Sequence, residues 1–393
     1  MIDIQQQGII TLVRNALKNE KNTVPEGFNF ELAIPVANSH QIMTMVYYGA
    51  VLAGLTQDVA LQKAFNSVCV FIAKDSKQAY ALQKLIDAFD QNGIEYMPLK
   101  GTVLKSMYPK SDMRIMGDAD ILIKLEQYEK IKSILMELGF KEAVESDHEL
   151  SWKSQNLFLE LHKRIVPSYN KDYYAYFGEG WNLAHKTVEQ GTRYEMSPED
   201  TLIYLFTHLA KHYRDGGIGI RHVTDIWVYL NKNPQLDEAY IEKELKKLKL
   251  WEFYKNVLDA IKVWFESEDS TEVTDFITGV IFGSGAYGTH EAHLVASTVR
   301  LMDDKGDARK ARAKKALNIL FPKRKNMISR YPVLQKAPIL LPVFWAVRGV
   351  ETVIFAPQKI KKNKATMDTV TNDKVTDYQK ALNFVGLDFN FKE

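Results

Sequence analysis

The chain has 393 residues, of which 46% are hydrophobic and 25% are charged, and it contains one cysteine, Cys69. This composition is typical of a globular protein with two or three domains. It excludes a disordered chain, a collagen, a coiled coil, a disulfide framework and a cysteine-based zinc site. The net charge of +2 is the sum of two unlike regions, because residues 305–364 carry +14 and the rest of the chain carries −12.

Residues 1–93 are predicted to form an N-terminal helical region. Apolar residues recur at helical spacing from Ile9 to Leu17 and from Ala79 to Phe89, and Asn92-Gly93 is a typical helix end. The N-terminus has no basic segment followed by an apolar core, so we expect no signal peptide and a cytoplasmic protein.

Residues 94–196 have the pattern of a mixed α/β domain. Strands are predicted at 94–99, 119–124, 140–144, 149–153 and 157–166, with helices at 102–108 and 126–138. The stretch ADILIK at 119–124 is apolar and partly β-branched, which indicates a buried strand.

Residues 197–356 are predicted to form a C-terminal helical domain. It begins at Ser197-Pro198-Glu199-Asp200, where a serine N-cap precedes a proline at the first helical position. Residues 357–393 form a polar, Lys-rich tail, with a loop predicted over 357–377.

The stretch from Pro338 to Pro357 is strongly apolar, but Arg348 and Glu351 interrupt it and Pro342 lies within it. A membrane span needs about 20 largely uncharged residues. We therefore predict a buried or interfacial helix here and no integral membrane span.

The most informative acidic residues lie in two of the predicted strands. Side chains alternate between the two faces of a strand, so Asp118 and Asp120 project from the same face. In the later strand, Glu160 lies on the face opposite to Leu159 and Leu161. Carboxylates held close together are best tolerated with a cation between them, and oxygen ligands suit Mg²⁺ beside substrate phosphates. The alternative is a set of solvated acids, because D-x-D is a short and common motif.

Several segments resemble a known family. They are PLKGTVLKSMYP, RIMGDADILI, LFLELHKRI and the later YLFTHLAKHYRDGGIGIRHVTDIWVYL. Together they resemble the uncharacterised bacterial nucleotidyltransferases of the polymerase-β-like superfamily, over roughly residues 80–350. The resemblance implies an α+β fold, in which a nucleotidyltransferase domain with a mixed sheet is flanked by N-terminal and C-terminal helical regions.

By this resemblance, Asp118, Asp120 and Glu160 are the catalytic acids and the ligands of Mg²⁺ (or Mn²⁺). The implied reaction is a two-metal transfer of a nucleoside monophosphate from an NTP to a hydroxyl or phosphate acceptor, with release of pyrophosphate. The acceptor is a small molecule, a sugar, a protein or an RNA. A non-catalytic nucleotide-binding or partner-binding protein that keeps the fold is the main alternative.

The resemblance also implies a nucleotide-binding turn. Lys100-Gly101-Thr102 stands where the superfamily has a Gly-Ser turn that holds the triphosphate, although the Lys and the Thr depart from that pattern. The backbone N–H groups of Gly101 and Thr102 are expected to contact phosphate oxygens. The residues assigned to nucleotide binding are Lys100, Gly101, Thr102, Arg114 and Gly117. For Arg114, a surface salt bridge is the alternative.

A second group of polar residues is expected to contact the acceptor or the phosphates. It consists of His162, His208, His212, Arg221 and Asp225. His208 and His212 share a helix face and resemble half of a zinc site, but the segment lacks the Glu of H-E-x-x-H and a third ligand. Arg221 and Asp225 are also four residues apart, so a simple ion pair between them is the alternative.

Two further features have competing interpretations. Gly283 to Gly288 match G-x-G-x-x-G, which would suit a dinucleotide-dependent enzyme only after a strand, and otherwise indicates a loop between helices. The basic segment 305–364 is either a solvated surface or a site for an anionic partner, such as RNA or an anionic membrane. Its cluster comprises Arg309, Lys310, Arg312, Lys314, Lys315, Lys323, Arg324 and Lys325.

Overall fold

The structure is a computed structural model. It describes residues 2–286, 288, 290–299, 308–328, 330–355, 358 and 371–387. Within this part of the chain, helices surround one mixed sheet, so the predicted α+β architecture with helical flanks is confirmed. The division into four domains stays a prediction.

The N-terminal region is helical, as predicted. Asp3 caps the first helix through a hydrogen bond from the Gln6 backbone N–H, and the fourth helix ends just before Asn92-Gly93. The first and third helices pack so closely that a Cβ on Gly49 would lie 1.8 Å from the Leu12 carbonyl oxygen. The four helices are α1 (Ile4–Lys18), α2 (Phe30–Ser39), α3 (Met43–Leu52) and α4 (Val59–Gln91).

The sheet has five strands in the spatial order β1-β2-β5-β4-β3. The central pair, β2 and β5, is parallel, and the other neighbours are antiparallel. The strands are β1 (Tyr96–Pro98), β2 (Ala119–Ile123), β3 (Lys141–Glu145), β4 (Glu149–Lys153) and β5 (Phe158–His162). A separate ribbon consists of β6 (Ala184–Lys186) and β7 (Tyr194–Met196). Three helices lie in this region: α5 (Lys100–Leu104), α6 (Tyr128–Glu137) and α7 (Lys171–Phe177).

One face of the sheet is covered by α4 and α6, and hydrophobic side chains form the buried core there. Ile121 and Ile123 of β2 and Leu159 and Leu161 of β5 are buried in this core, together with Phe89 of α4. The alternation predicted from the sequence is therefore confirmed for both strands, and it directs their polar side chains to the opposite face.

The C-terminal region is also helical. Ser197 caps its first helix by accepting a hydrogen bond from the Asp200 backbone N–H at 3.0 Å. The larger core of the protein joins these helices to α1–α4 and to the chain around Met97. The helices are α8 (Pro198–Asp215), α9 (Ile220–Lys232), α10 (Glu238–Lys247), α11 (Trp251–Phe265), α12 (Glu272–Ser284), α13 (His290–Val299), α14 (Ala308–Leu320), α15 (Val333–Lys336), α16 (Leu341–Phe355) and α17 (Asn372–Phe384).

Two predictions about secondary structure need correction. The strand predicted over 157–166 ends at His162, and residues 163–166 form bends. The loop predicted over 357–377 is wrong from Asn372 onward, where α17 begins after a Thr371 cap and buries Val375. Residues 359–370 of that predicted loop lie outside the described residues.

The glycine-rich match at 283–288 follows a helix. Gly283 and Ser284 form the last turn of α12, and Gly285 ends that helix. A dinucleotide-binding turn requires a preceding strand, so the dinucleotide alternative is wrong. Tyr287, within this motif, lies outside the described residues.

Residues 338–355 of the apolar stretch are helical, and residues 356 and 357 lie outside the described residues. Of the two predicted placements, burial is wrong and an interfacial position stays a prediction. The segment Pro338–Phe355 is the one described helical segment that is long and apolar enough to cross a membrane, and none of it is buried. Its inner side contacts the end of α14 and the turns around Pro322 and Tyr331 through the hydrogen bonds of Trp345, Arg348 and Glu351.

Candidate active site

The three acids predicted from the sequence converge on one cleft. Asp120 of β2 lies opposite Glu160 of β5 in the parallel register, so both side chains leave the same face of the sheet. One ligand atom each from Asp120, Glu160 and His162 lie within 4.8 Å of one another. Asp118 precedes β2, and together with Asp120 and Glu160 it lines a cavity of about 300 Å³ between the sheet, α8 and α9.

Asp120 is the most firmly held of these acids. The Lys100 Nζ and the His162 Nε2 each lie 2.8 Å from its Oδ1, and its backbone N–H donates to the Thr102 hydroxyl at 3.2 Å. Burial alone would raise the pKa of Asp120, but the Lys100 charge and the His162 hydrogen bond outweigh it and hold the pKa below its usual range. Asp120 is therefore an anion in a fixed orientation.

Lys100 reaches Asp120 from an unfavourable backbone conformation. Its φ is +42°, in the left-handed region that non-glycine residues rarely adopt. Burial acts to lower the pKa of Lys100, but the Asp120 carboxylate raises it above its usual value, so the side chain stays charged. Strain of this kind persists where the surrounding contacts over-determine the geometry, and it is common at functional sites.

Glu160 and Asp118 have the opposite electrostatic character. Burial and the charges of Asp118 and Asp120 raise the pKa of Glu160 to about 8. Burial and the Asp120 charge also raise the pKa of Asp118, against the opposing effects of Lys100 and Arg221. Three carboxylates around one cavity are more than Lys100 alone neutralises, and their oxygens are the donor set that Mg²⁺ or Mn²⁺ prefers. The residues therefore fit a divalent cation.

The residues of the Lys100-Gly101-Thr102 turn do not all face the cavity. Lys100 and Gly101 line the cavity, as does Gly117, whereas Thr102 lies behind it. The Thr102 N–H donates to the Leu99 carbonyl oxygen, and its hydroxyl accepts from Asp120. The predicted phosphate contact of Thr102 is therefore corrected to a structural contact that supports Asp120.

Arg114 and Asp225 form a buried ion pair at the wall of the cavity. Arg114 Nε and Nη2 donate to the two carboxylate oxygens of Asp225 at 2.7 and 2.9 Å, and the Tyr108 hydroxyl donates to the same carboxylate. Both partners are less than 10% exposed, so the surface salt bridge considered for Arg114 is wrong. A Cβ on Gly101 would lie 2.5 Å from Arg114 Nη1, so a side chain at position 101 would displace the Arg114 guanidinium.

The ion pair proposed between Arg221 and Asp225 is also wrong. Arg221 Nη1 instead donates to the Gln41 side chain and to the Ile115 carbonyl oxygen. Arg221 nevertheless lines the cavity, and its charge acts on Asp118. The i, i+4 spacing correctly brings both residues to one side of α9, but Asp225 is bound more deeply by Arg114.

The histidines of α8 form the wall opposite the acids. His208 and His212 line the cavity, with their Nε2 atoms 3.0 Å apart, and burial lowers the pKa of both so that they are neutral. Among the described residues, no cluster of three possible ligands includes either of them, which removes the support for a zinc site. His162 does not line this cavity and instead orients Asp120, which corrects its predicted contact with the acceptor.

Sequence analysis missed other residues of the cavity wall. His148 and Glu149 reach it from the start of β4, and Lys211 and His222 reach it from α8 and α9. His148 and Glu149 stand where the preceding loop enters a strand, which is a position where polar side chains can face a cleft. Neither residue has a partner at diagnostic spacing, so no pattern singled them out.

We expect the histidines with lowered pKa values to reduce the free energy of unfolding in acid. Burial lowers the pKa of His40 to about 4, of His148 and His222 to about 3, and of His212 to about 2. The unfolded chain takes up protons near pH 6.5 and the folded chain does not. The free energy of unfolding should therefore fall below that pH by up to about 1.4 kcal/mol per pH unit for each histidine. Urea denaturation between about pH 7 and 5 measures this slope.

Matched variants isolate one contribution to this slope. His40→Gln should reduce it, because His40 accepts a hydrogen bond from the Ile220 N–H and is fully buried, whereas the exposed His185→Gln should leave it unchanged. Glu160 and Asp118 act in the opposite direction, since their raised pKa values make the folded state take up protons first. An unchanged slope in His40→Gln would contradict the prediction.

Comparison with known proteins identifies the family. A solved structure, the antibiotic-resistance factor ANT(2'')-Ia, is similar over 49% of this chain and 100% of its own, with 14% identity and a TM-score of 0.33, which is too low to support an argument. No curated protein sequence matches. A family described as uncharacterised nucleotidyltransferase matches residues 26–266, which span α2–α11, the sheet and every cavity residue named above. The chain therefore belongs to this nucleotidyltransferase family.

Proposed function

We propose that the protein transfers a nucleoside monophosphate from an NTP to a hydroxyl or phosphate acceptor, with Mg²⁺ or Mn²⁺. Family membership supports a nucleotidyltransferase and hence an NTP substrate. The observation that carries the finer proposal is the convergence of Asp118, Asp120 and Glu160 on one cavity that also contains Lys100. A module that only bound a partner would have no need of three carboxylates held around one cavity.

In the proposed step, an acceptor oxygen attacks the α-phosphorus of the NTP. A new P–O bond forms, the bond from the α-phosphorus to the oxygen that bridges to the β-phosphate breaks, and pyrophosphate leaves with that electron pair. We assign to Glu160 the proton released by a hydroxyl acceptor, because its carboxylate lines the same cavity as the two aspartates.

Asp118, Asp120 and Glu160 would hold the metal ions. Bound Mg²⁺ would neutralise phosphate charge and increase the acidity of an acceptor hydroxyl. Lys100 keeps Asp120 ionised and oriented, and its ammonium would also face the incoming phosphates. The Gly101 and Gly117 backbone lies at the cavity surface, where a phosphate could approach without a side chain in the way.

The other wall would accommodate the acceptor. His208 and His212 are neutral and buried beside Leu205 and Leu209, so this wall is less polar than the acidic one. Arg221 and Lys211 add positive charge at the same cavity. A polar acceptor with an anionic group would suit this combination, and the experiment below distinguishes the acceptor classes. We also retain the cytoplasm as the proposed compartment.

The test combines the purified protein with each labelled NTP, Mg²⁺ and fractions of a cell extract separated into small molecules, RNA and protein. We expect pyrophosphate release and transfer of label from one NTP to one fraction. Addition of EDTA should abolish both, and excess Mg²⁺ should restore both, because carboxylate charge that Lys100 does not neutralise would repel a triphosphate. The measurements are pyrophosphate release and label retained in each fraction.

Two outcomes would contradict the proposal. Transfer that continues in EDTA would remove the role assigned to the metal. Saturable NTP binding without transfer to any fraction would favour the alternative, a nucleotide-binding protein that keeps the fold without the activity.

A further inference from the structure

The segment Pro338–Phe355 has a solvent-facing surface made only of apolar and small residues. No residue in it is buried, and Ile339 and Phe355 are 87% and 82% exposed. The large exposed side chains are Ile339, Leu340, Val343, Val347, Val350, Val353, Ile354 and Phe355. Continuous apolar surface on this scale is uncommon on a soluble monomer and indicates a surface that another medium or molecule covers.

The polar residues of α16 lie on its inner side. Arg348 Nη1 donates to the Ile319 carbonyl oxygen at 2.8 Å, and Glu351 accepts hydrogen bonds from Arg330 Nη2 and the Tyr331 hydroxyl at 2.7 and 2.6 Å. Trp345 Nε1 donates to the Pro322 carbonyl oxygen. The two charged side chains of α16 are therefore satisfied within the protein. This arrangement is the reverse of a helix packed on a core, where the apolar side faces inward.

The surroundings of this helix are basic. Residues 308–350 contain eleven Lys or Arg residues and no Asp or Glu. Of these, Lys314, Lys323, Arg324, Arg330 and Lys336 are exposed. The side chains of Arg309, Lys310, Arg312, Lys315 and Lys325 lie outside the described part of the structure.

We propose that α14–α16 and the turns between them, residues 308–355, dock the protein on the surface of a bilayer that contains anionic lipids. The exposed side of α16 would lie among the upper acyl chains, and the basic residues would contact the headgroups. This is the pairing of apolar insertion with electrostatic attraction that interfacial segments use. Arg348 and Glu351, bound to neighbouring backbone and side chains, keep α16 in the interface and out of a spanning orientation.

Charge favours lipid over a second copy of the chain. A symmetric dimer through this surface would bring two basic segments together, which is repulsive. Anionic headgroups neutralise the same charges. The proposal is independent of the proposed nucleotidyl transfer, and its test has a separate readout.

The test is flotation of the full chain with vesicles of equimolar phosphatidylcholine and phosphatidylglycerol, and with vesicles of phosphatidylcholine alone. We expect binding to the anionic vesicles, weakening with added salt, and release of the bound protein by alkaline carbonate. Val343→Asp/Val350→Asp should abolish binding. Both valines are more than half exposed, so the aspartates that replace them would place charge in the acyl region. Lys323→Gln/Arg324→Gln should weaken it on the order of tenfold or more.

The control is Val70→Asp/Val188→Asp, which changes equally exposed valines away from α16 and should bind as the unaltered protein does. Circular dichroism of all variants should match, since the altered side chains are exposed. The proposal is overturned if the unaltered protein does not float with anionic vesicles at low salt. It is also overturned if Val343→Asp/Val350→Asp binds anionic vesicles as well as the unaltered protein does. The same holds if analytical ultracentrifugation shows that the unaltered protein is a dimer and that this variant is a monomer. Resistance to carbonate would overturn the interfacial orientation.

Discussion

Replacing either aspartate of the acidic pair should abolish nucleotidyl transfer, but only one replacement should also destabilise the fold. Asp118→Asn and Asp120→Asn should each lower the rate of label transfer at least about a hundredfold, because each removes a charge that balances bound metal and phosphate. Asp118 is partly exposed at the cavity surface, so its replacement should leave the free energy of unfolding nearly unchanged.

Asp120→Asn should also lower the free energy of unfolding by roughly 1–3 kcal/mol, because it weakens the hydrogen bonds from Lys100 and His162 to a buried acceptor. Rates come from labelled NTP, and stability from urea denaturation. Glu126→Gln, an exposed acid near the same sheet, is the control and should change neither quantity. Equal transfer by the Asp118→Asn protein would refute its role as a metal ligand.

Breaking the Arg114–Asp225 pair should be the most destabilising change of a single side chain at the cavity. Arg114→Met or Asp225→Asn leaves the opposite charge buried without a full partner, which costs about 3–5 kcal/mol of unfolding free energy. The double variant should lose less than the sum of the two, because no unpaired charge remains. Urea denaturation of all four proteins gives the coupling.

The surface pair between Lys132 and Glu142 is a matched control. Its atoms are 2.7 Å apart, as close as those of Arg114 and Asp225, but both of its side chains are more than a third exposed. Glu142→Gln should therefore cost less than about 1 kcal/mol. If Arg114→Met lowered the free energy of unfolding no more than Glu142→Gln does, the buried pair would not contribute to stability as its burial indicates.

The acidic face was predictable because strand alternation is a local property. Alternation alone places Asp118 and Asp120 on one face of their strand and Glu160 on the polar face of the later strand, and the register between β2 and β5 then brings Asp120 beside Glu160. The Ser197 cap and the helix end at Asn92 were predictable for the same reason, since capping depends on residues a few positions apart.

The partners of these residues depend on distant parts of the chain. Arg114 binds Asp225 across 111 positions, while the i, i+4 spacing on α9 had suggested Arg221 for that role. Likewise, His162 and Thr102 had been assigned to substrate, and the structure uses them to hold Asp120. Spacing along a helix identifies which residues share a side, but it does not identify what faces that side.

The sequence by itself indicated the mixed α/β domain, its helical flanks and the polarity of each strand, because these follow from local periodicity. The assignment of the three acids to one site came from the family resemblance. Only the tertiary structure decided which charges are paired, which are buried, and that α16 has its apolar residues outside. Burial is a property of what packs against an element, and an apolar helix has the same sequence pattern whether a core or another medium covers it. The +2 net charge thus combines a body with a buried acidic cleft and a basic, apolar surface at residues 308–355.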